Sequence, residues 1–258
     1  MSTVIYPSPI FGPIHSRRLG VSLGINLLPA DGKMCSFDCI YCECGFNASH
    51  RPQLKVPTKE EVLQKLEETL KDMQQNGPKP DVLTFAGNGE PTMHPDFPAI
   101  ASGAARLRDK YFPEAKISVL SNATRINKKE VREALLLVDN PILKLDTTNM
   151  GYISRVDRPV GHYDLGEQLH WLEKMGPKII IQTMFMEGSH EGEYVGNCSP
   201  SFVNPWLEAI QRIKPRQVMI YTIDRETPSP LLQKATHEQL DSIAEQVRKL
   251  GIDISVSY

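Results

Sequence analysis

From about residue 20 the chain alternates short apolar runs with amphipathic segments that open on helix start signals. This alternation limits the fold more than any other feature. The runs SLGINL (22–27), DVLTFA (81–86), KISVL (116–120), PILKLD (141–146), KIIIQTMF (178–185) and QVMIYTI (217–223) read as strands, and IDISVSY closes the chain at 258. Most are continuously apolar, as strands covered on both faces are. Thr58 and Glu61 form a capping-box pair ahead of Val62, Leu63, Leu66, Leu70 and Met73. Asn127 with Glu130 precedes Val131, Ala134, Leu135 and Val138, and Asp164 with Glu167 goes with Leu165, Leu169 and Leu172. Asn204–Pro205 reads as an N-cap followed by proline at the first helical position. Thr236 with Gln239 opens a stripe of Leu240, Ile243, Ala244, Val247 and Leu250 that Gly251 stops.

Repeated strand–helix units with right-handed crossovers build a barrel or an open doubly wound sheet. Six units fall short of the eight of a closed barrel. The expectation is therefore an α/β fold: a partial (β/α)6 TIM-like barrel, with an N-terminal extension over 1–19 packing on it and a short C-terminal strand. A chain of 258 residues, 40% hydrophobic, can form this as one domain spanning 1–258. Chemistry then belongs at the C-terminal ends of the strands. The formal net charge of −2 gives no overall basic footprint for nucleic acid. MSTVIYPSPIFGP lacks the basic-then-apolar pattern of a leader, and no apolar run approaches a membrane span, so a cytoplasmic protein without membrane contact is expected.

Four of the five cysteines lie in CSFDCIYCECG, 35–45. Cys35, Cys39 and Cys42 have the spacing C-x3-C-x2-C. Structural zinc usually takes two short cysteine knuckles that converge from two sides. No second knuckle exists here: Cys198 is isolated and His50 has no partner at ligand spacing. Three thiolates can instead hold three irons of a cubane cluster and leave the fourth iron open. A non-catalytic iron–sulfur or zinc binding module is the alternative of a different class. Cys44 lies too close to the triplet to ligate the same cubane comfortably and reads as a supporting or redundant thiol.

C-x3-C-x2-C with Tyr41 before the last cysteine resembles the signature of radical S-adenosylmethionine (SAM) enzymes. The resemblance implies a [4Fe–4S] cluster on Cys35, Cys39 and Cys42 whose open iron takes the amino and carboxylate groups of SAM. It also implies reductive cleavage of SAM to methionine and a 5′-deoxyadenosyl radical, fed by a one-electron reductant such as flavodoxin or ferredoxin. AGNGEPTMHPDF (86–97) is similar to the family's glycine–glutamate–proline motif, which places Gly87, Asn88, Gly89 and Glu90 at the SAM amino group. Glycines there admit positive φ and close ligand approach, and a carboxylate complements an ammonium. Read bare of the resemblance, the stretch is a Gly-rich turn with Asp96 as a helix N-cap. By the same resemblance Ser121 and Asn122 of LSNAT meet the SAM ribose or carboxylate, and KLDTTN turns Asp146 and Thr148 toward the same mouth.

FGPIHSRRLGVSLGINLLP (11–29) and ISRVDRP (153–159) are similar to a branch that includes the wyosine-type tRNA-modifying iron–sulfur enzymes. Archaeal members carry further N-terminal cysteines for a second cluster, whereas no cysteine precedes Cys35 here. In size the chain also resembles glycyl-radical-enzyme activases. The substrate of the expected hydrogen abstraction is thus RNA or a nucleotide, or a protein or peptide. Arg17, Arg18, Arg155, Arg158 and Arg225, with His15 and Asp224, form a candidate rim for an anionic substrate. The alternative is solvated arginines pairing with Asp157 or Asp224. Cys198 is either a hydrogen donor at the mouth or a plain loop thiol, and 186–203 is the candidate movable cover.

Overall fold

The computed structural model describes residues 3–16 and 20–258. The order is β1 (Ile10–Ser16), β2 (Gly20–Ile25), α1 (Lys59–Asn76), β3 (Val82–Phe85), α2 (Phe97–Tyr111), β4 (Lys116–Ser121), α3 (Lys129–Leu137), β5 (Asn140–Lys144), α4 (Met150–Tyr152) and α5 (Leu165–Met175). It continues through β6 (Ile180–Met184), β7 (Met186–His190), β8 (Glu193–Tyr194), α6 (Pro200–Ile213), β9 (Gln217–Tyr221), β10 (Leu232–Lys234), α7 (His237–Lys249) and β11 (Asp253–Ser257).

The main sheet runs β1-β2-β3-β4-β5-β6-β9-β11. Every neighbouring pair from β2 onward is parallel, and β1 lies antiparallel on the β2 edge. β1 and β11 are the two edges, so the barrel is partial, as expected. The C-terminal run adds a parallel strand beyond the six units, paired from Asp253↔Gln217 to Ser257↔Tyr221.

Side chains of each strand alternate between two environments. Leu23, Ile25, Leu83, Phe85, Ile117, Val119, Ile181, Val218 and Ile220 are buried against the helices in the main core. Ser22, Gly24, Thr84, Leu120, Ile142, Gln182 and Met219 face the barrel interior. On α1 the capping box forms as read, with Glu61 N–H on Thr58 Oγ1 at 3.2 Å and Thr58 N–H on Glu61 Oε2 at 2.6 Å. Its buried stripe is Val62, Leu66, Leu70 and Met73, each stabilising by about 1.5–3 kcal/mol on burial. Leu63 packs over Gly103 of α2, where a Cβ would lie 2.6 Å from Leu63 Cδ2. The Thr236–Gln239 box also forms, and Asp164 caps α5 through Glu167 N–H.

Three expectations change. α6 starts at Pro200 with Ser199 as N-cap, not at Asn204–Pro205, and Pro205 is an interior residue of the helix on its exposed side. α3 starts at Lys129, and Asn127 bonds Glu167 instead of capping the helix. The stretch 186–203 is structured: β7 and β8 form a hairpin, β10 pairs on β7, and this small sheet packs by Met186 and Val195 on Ile40, Tyr152 and Val156. Among the described residues, no helix is long and apolar enough to cross a membrane.

Candidate active site

The cysteines sit on the long loop that leaves the C-terminal end of β2, and contacts on both flanks hold that loop in place. On one flank Met34 forms a two-bond bridge to the turn after β3, its N–H on Asn88 O at 2.9 Å and its carbonyl accepting from Glu90 N–H at 3.2 Å. Gly89, at φ +134°, is required for that bridge, since a Cβ would lie 1.9 Å from Met34 O. On the other flank Asp38 N–H reaches Asp157 O at 3.0 Å, Ile40 N–H reaches Val156 O at 2.9 Å, and Val160 N–H reaches Ser36 O at 2.8 Å. The cysteine, glycine–glutamate and ISRVDRP motifs are thus one hydrogen-bonded unit.

Cys35, Cys39 and Cys42 are half-buried free thiols, and Cys44 is buried. The Asn122 amide donates to Cys35 Sγ at 3.6 Å, and Cys39 Sγ donates to Asp157 Oδ1 at 3.8 Å. Burial, with Glu90 nearby, pushes the Cys35 thiol up to about 12. Burial likewise holds Cys39 well above its ordinary value. Cys42 differs. A hydrogen bond from Cys44, helped by the Lys33 ammonium and opposed by burial, brings it down to about 6. The same contact, then burial, pushes Cys44 up. Cys44 Sγ also reaches Gly87 O at 3.5 Å.

The four residues of the glycine–glutamate turn divide the work. Gly87, at φ +127°, packs on Asn26, where a Cβ would lie 2.7 Å from Asn26 Cγ, and it lines the central cavity. Asn88 faces away from that cavity: its amide donates to Tyr6 O at 2.9 Å and Pro29 O at 2.8 Å, and its oxygen accepts from Tyr6 N–H at 2.8 Å. Glu90 is buried and accepts from Thr92 N–H (3.0 Å), Thr92 Oγ1 (2.6 Å), Ser121 Oγ (2.8 Å) and Asn122 N–H (2.6 Å). Burial raises its pKa despite these donors. Glu90 therefore ties the end of β4 to the turn after β3, and Asn122 carries that tie on to Ser36 and Cys35.

A second network is built around a buried cation. Tyr41 Oη donates to Asp146, and Lys144 Nζ donates to both Tyr41 Oη and Asp146. Lys144 also pairs with Asp157 Oδ1 at 2.9 Å. Asp146 in turn accepts from Met184 N–H at 3.0 Å, which fixes it to β6. Burial would depress the Lys144 ammonium, but Asp146, Asp157 and Cys39 hold it well above the ordinary lysine value. Burial lifts Asp157 to about 6 against the pull of Lys144. Sequence reasoning reached Tyr41 and Asp146 but missed Lys144 and Asp157.

Between the two networks the barrel interior opens as a cavity of about 580 Å³. Cys39, Tyr41, Cys42, Gly87 and Lys144 line it beside Ser22, Thr84, Leu120, Ile142, Gln182 and Met219. Residues 31–188, which carry the cysteine, glycine–glutamate and ISRVDRP motifs, match the model of the radical SAM superfamily. The chain belongs to that superfamily. It is 30% identical over 226 residues to the UPF0026 protein slr1464 of Synechocystis, covering 85% of this chain and 77% of that one. The chain spans from 32% to 77% of the length of the first curated relatives it matches. Its fold resembles that of a radical SAM methyltransferase from Sphaerobacter thermophilus, at TM-score 0.66 and 13% identity, over 91% of this chain and 65% of that one. It also resembles TYW1 with a lysine-pyruvate adduct bound, at TM-score 0.62 and 14% identity, over 88% and 73%.

Other residues singled out in the sequence sit at varied distances from this cavity. Arg225 and Asp224 line it with His15. Arg225 donates to Tyr6 Oη and Glu43 Oε2, both at 2.8 Å, and so bridges the loop after β9 to the cysteine loop. Arg158 lies on the outer side of the cysteine loop, over the Phe46 ring at 4.8 Å and 3.6 Å from Asp38. Arg155 is exposed, and neither it nor Arg158 lines the cavity. Arg17 and Arg18 lie outside the described residues. Cys198 donates to Met186 O at 3.7 Å away from the cavity, its thiol pushed up to about 12 by burial and then by Glu187.

Proposed function

We propose that the chain is a radical SAM enzyme that cleaves SAM reductively at a [4Fe–4S] cluster on Cys35, Cys39 and Cys42 and takes a hydrogen atom from a substrate in the barrel cavity. The observation that carries this reading is that Cys39, Cys42 and Gly87 line one wall of the same cavity. The donor set fits the cluster. Cys42 acts on Cys35, and Cys42 and Cys35 both act on Cys39, through their charge, so the three thiols share one locality. Among the described residues no three His, Cys, Asp or Glu side chains converge on a point that would hold a single metal ion. In a cubane each thiolate takes its own iron, so such convergence is not needed.

Bound there, the cluster supplies the electron that splits SAM into methionine and a 5′-deoxyadenosyl radical. The chain's own residues position and enclose. Gly87 lets backbone approach the ligand, while Glu90 holds Ser121 and Asn122 rigid behind it. The Tyr41–Lys144–Asp146 network forms a fixed polar wall, and the β7–β8–β10 sheet packs against Ile40 of the cysteine loop. The cavity is in the size range of small-molecule sites. Its apolar Leu120, Ile142 and Met219 beside polar Thr84 and Gln182 suit a single nucleotide or one residue of a peptide. Arg225 supports an anionic group at the rim, and a flavodoxin or ferredoxin is the proposed electron donor.

The test is anaerobic reconstitution with iron and sulfide, followed by SAM and a chemical reductant, with 5′-deoxyadenosine as the readout. RNA, nucleotide and peptide pools are then screened for faster release. Cleavage in the reconstituted protein supports the reading; bound zinc with no SAM turnover overturns it.

A further inference from the structure

We infer that Lys33 is a positioning residue whose buried ammonium compensates the negative charge gathered on the Cys35–Cys39–Cys42 loop and so sets the potential at which the centre held there accepts an electron. This rests on the [4Fe–4S] reading above and adds a residue that no motif marks.

The placement of Lys33 is built with care by its surroundings. It is 3% exposed, with its side chain at 1%, at a position two residues before Cys35. Its N–H donates to His50 O at 2.7 Å. Gly32 makes that closure feasible, since a Cβ there would lie 2.4 Å from the same oxygen. Nζ donates to Gly45 O at 2.7 Å, three residues past Cys42. The ammonium is thus strapped across the inside of the loop that carries all three thiols.

A lysine buried to this degree requires a counter-charge. The nearest carboxylate, Asp38, is 3.7 Å away and also serves Asn47 N–H at 2.7 Å and Arg158 at 3.6 Å. Lys144 is different, because Asp146 and Asp157 surround it with two carboxylates. Lys33 therefore brings a positive charge that its carboxylate partner shares out, and it brings it inside the loop that carries the three thiols. An added electron deepens the negative charge beside a fixed cation, which favours the reduced state. Charges and hydrogen bonds at cluster sulfurs tune potentials in this way.

A role limited to anchoring Gly45 O would survive replacement by a neutral donor, and this separates the two roles. The full chain is reconstituted anaerobically as wild type, Lys33→Gln, Lys33→Arg and Asp38→Asn, and each is titrated against a potential ladder with the cluster's EPR signal as readout. Lys33→Gln shifts the midpoint to more negative values, Lys33→Arg returns it toward wild type, and Asp38→Asn shifts it to more positive values. An iron-replete Lys33→Gln protein at the wild-type midpoint overturns the inference. If Lys33→Gln does not fold or load, Asp38→Asn decides: a positive shift supports the inference and an unchanged midpoint overturns it. A wild type that takes up no cluster is a distinct result, which overturns the proposed function and this inference together.

Discussion

The two ends of the parallel sheet treat their carboxylates in opposite ways. At the N-terminal end Asp139 accepts from Ile117 N–H at 2.8 Å and Arg108 Nη1 at 2.7 Å. Burial pushes its pKa up, but these partners outweigh it and the net shift is down. At the C-terminal end burial wins, and Glu90 and Asp157 are both raised. The lower carboxylates are ordinary strand-end caps at a partly wet surface. The upper ones sit in the dry interior beside the thiols, an arrangement that costs stability and concentrates perturbed groups where a site is wanted. The raised carboxylates thus gather on the same face as the cysteine loop.

The comparison can be broken by unfolding experiments on the apo-protein. The largest effect is expected for Lys144→Met, which strands Asp146 and Asp157 without their cation and costs about 3–5 kcal/mol. Arg108→Met at the lower end, where Asp139 is partly exposed and keeps the Ile117 N–H, costs no more than about 1 kcal/mol. Equal losses in urea unfolding would abolish the distinction.

Glu90→Gln comes next, at about 1–3 kcal/mol, because it sets an NH2 against some of the four donors that Glu90 now satisfies. A charge-to-amide change chosen to weaken SAM is thus expected to weaken the fold as well, and calorimetric SAM titration beside thermal melting separates the two effects. In a double-mutant cycle with Ser121→Ala the losses should fall short of additivity, since both act through Glu90 Oε1.

The smallest effect is one of pH. A carboxylate lowered in the fold contributes stability that is present above its unfolded value and lost as pH falls. Asp139→Asn should therefore flatten the decline in stability below about pH 4. Glu90 is raised, so its contribution has the opposite sign and falls as pH climbs above its ordinary value. A pH series of melting points on Asp139→Asn checks the first; an unchanged acid limb would show that Asp139 is unimportant there.

Much of this was legible in the sequence, and what was not has a physical reason. Local signals held: the Thr58–Glu61 and Thr236–Gln239 boxes, the alternation of strands and helices, and the cysteine spacing all act over a few residues. The start of α6 was misplaced because Ser199–Pro200 and Asn204–Pro205 carry the same signal five residues apart, and the helix tolerates the second proline near its exposed start. Lys144 and Asp157 were invisible because their partners lie across the fold: Tyr41 is 103 residues from Lys144 and 116 from Asp157. Asn88 and Glu90 stand in a recognisable motif, yet nothing local announces that their side chains bond Tyr6, Pro29 and Ser121. The β7–β8–β10 sheet was missed because its strands are short and half-polar, and β10 joins from beyond β9.

The central claim is that three particular thiols, and not the fourth beside them, hold the iron. Cys35→Ala, Cys39→Ala, Cys42→Ala and Cys44→Ala are reconstituted side by side, and iron and sulfide are counted with visible absorption as a cross-check. The account predicts that each of the first three loses the SAM-responsive [4Fe–4S] cluster, while Cys44→Ala keeps it with altered stability because Cys42 has lost its hydrogen-bond donor. A full cluster in any of the first three, with loss in Cys44→Ala, would contradict it.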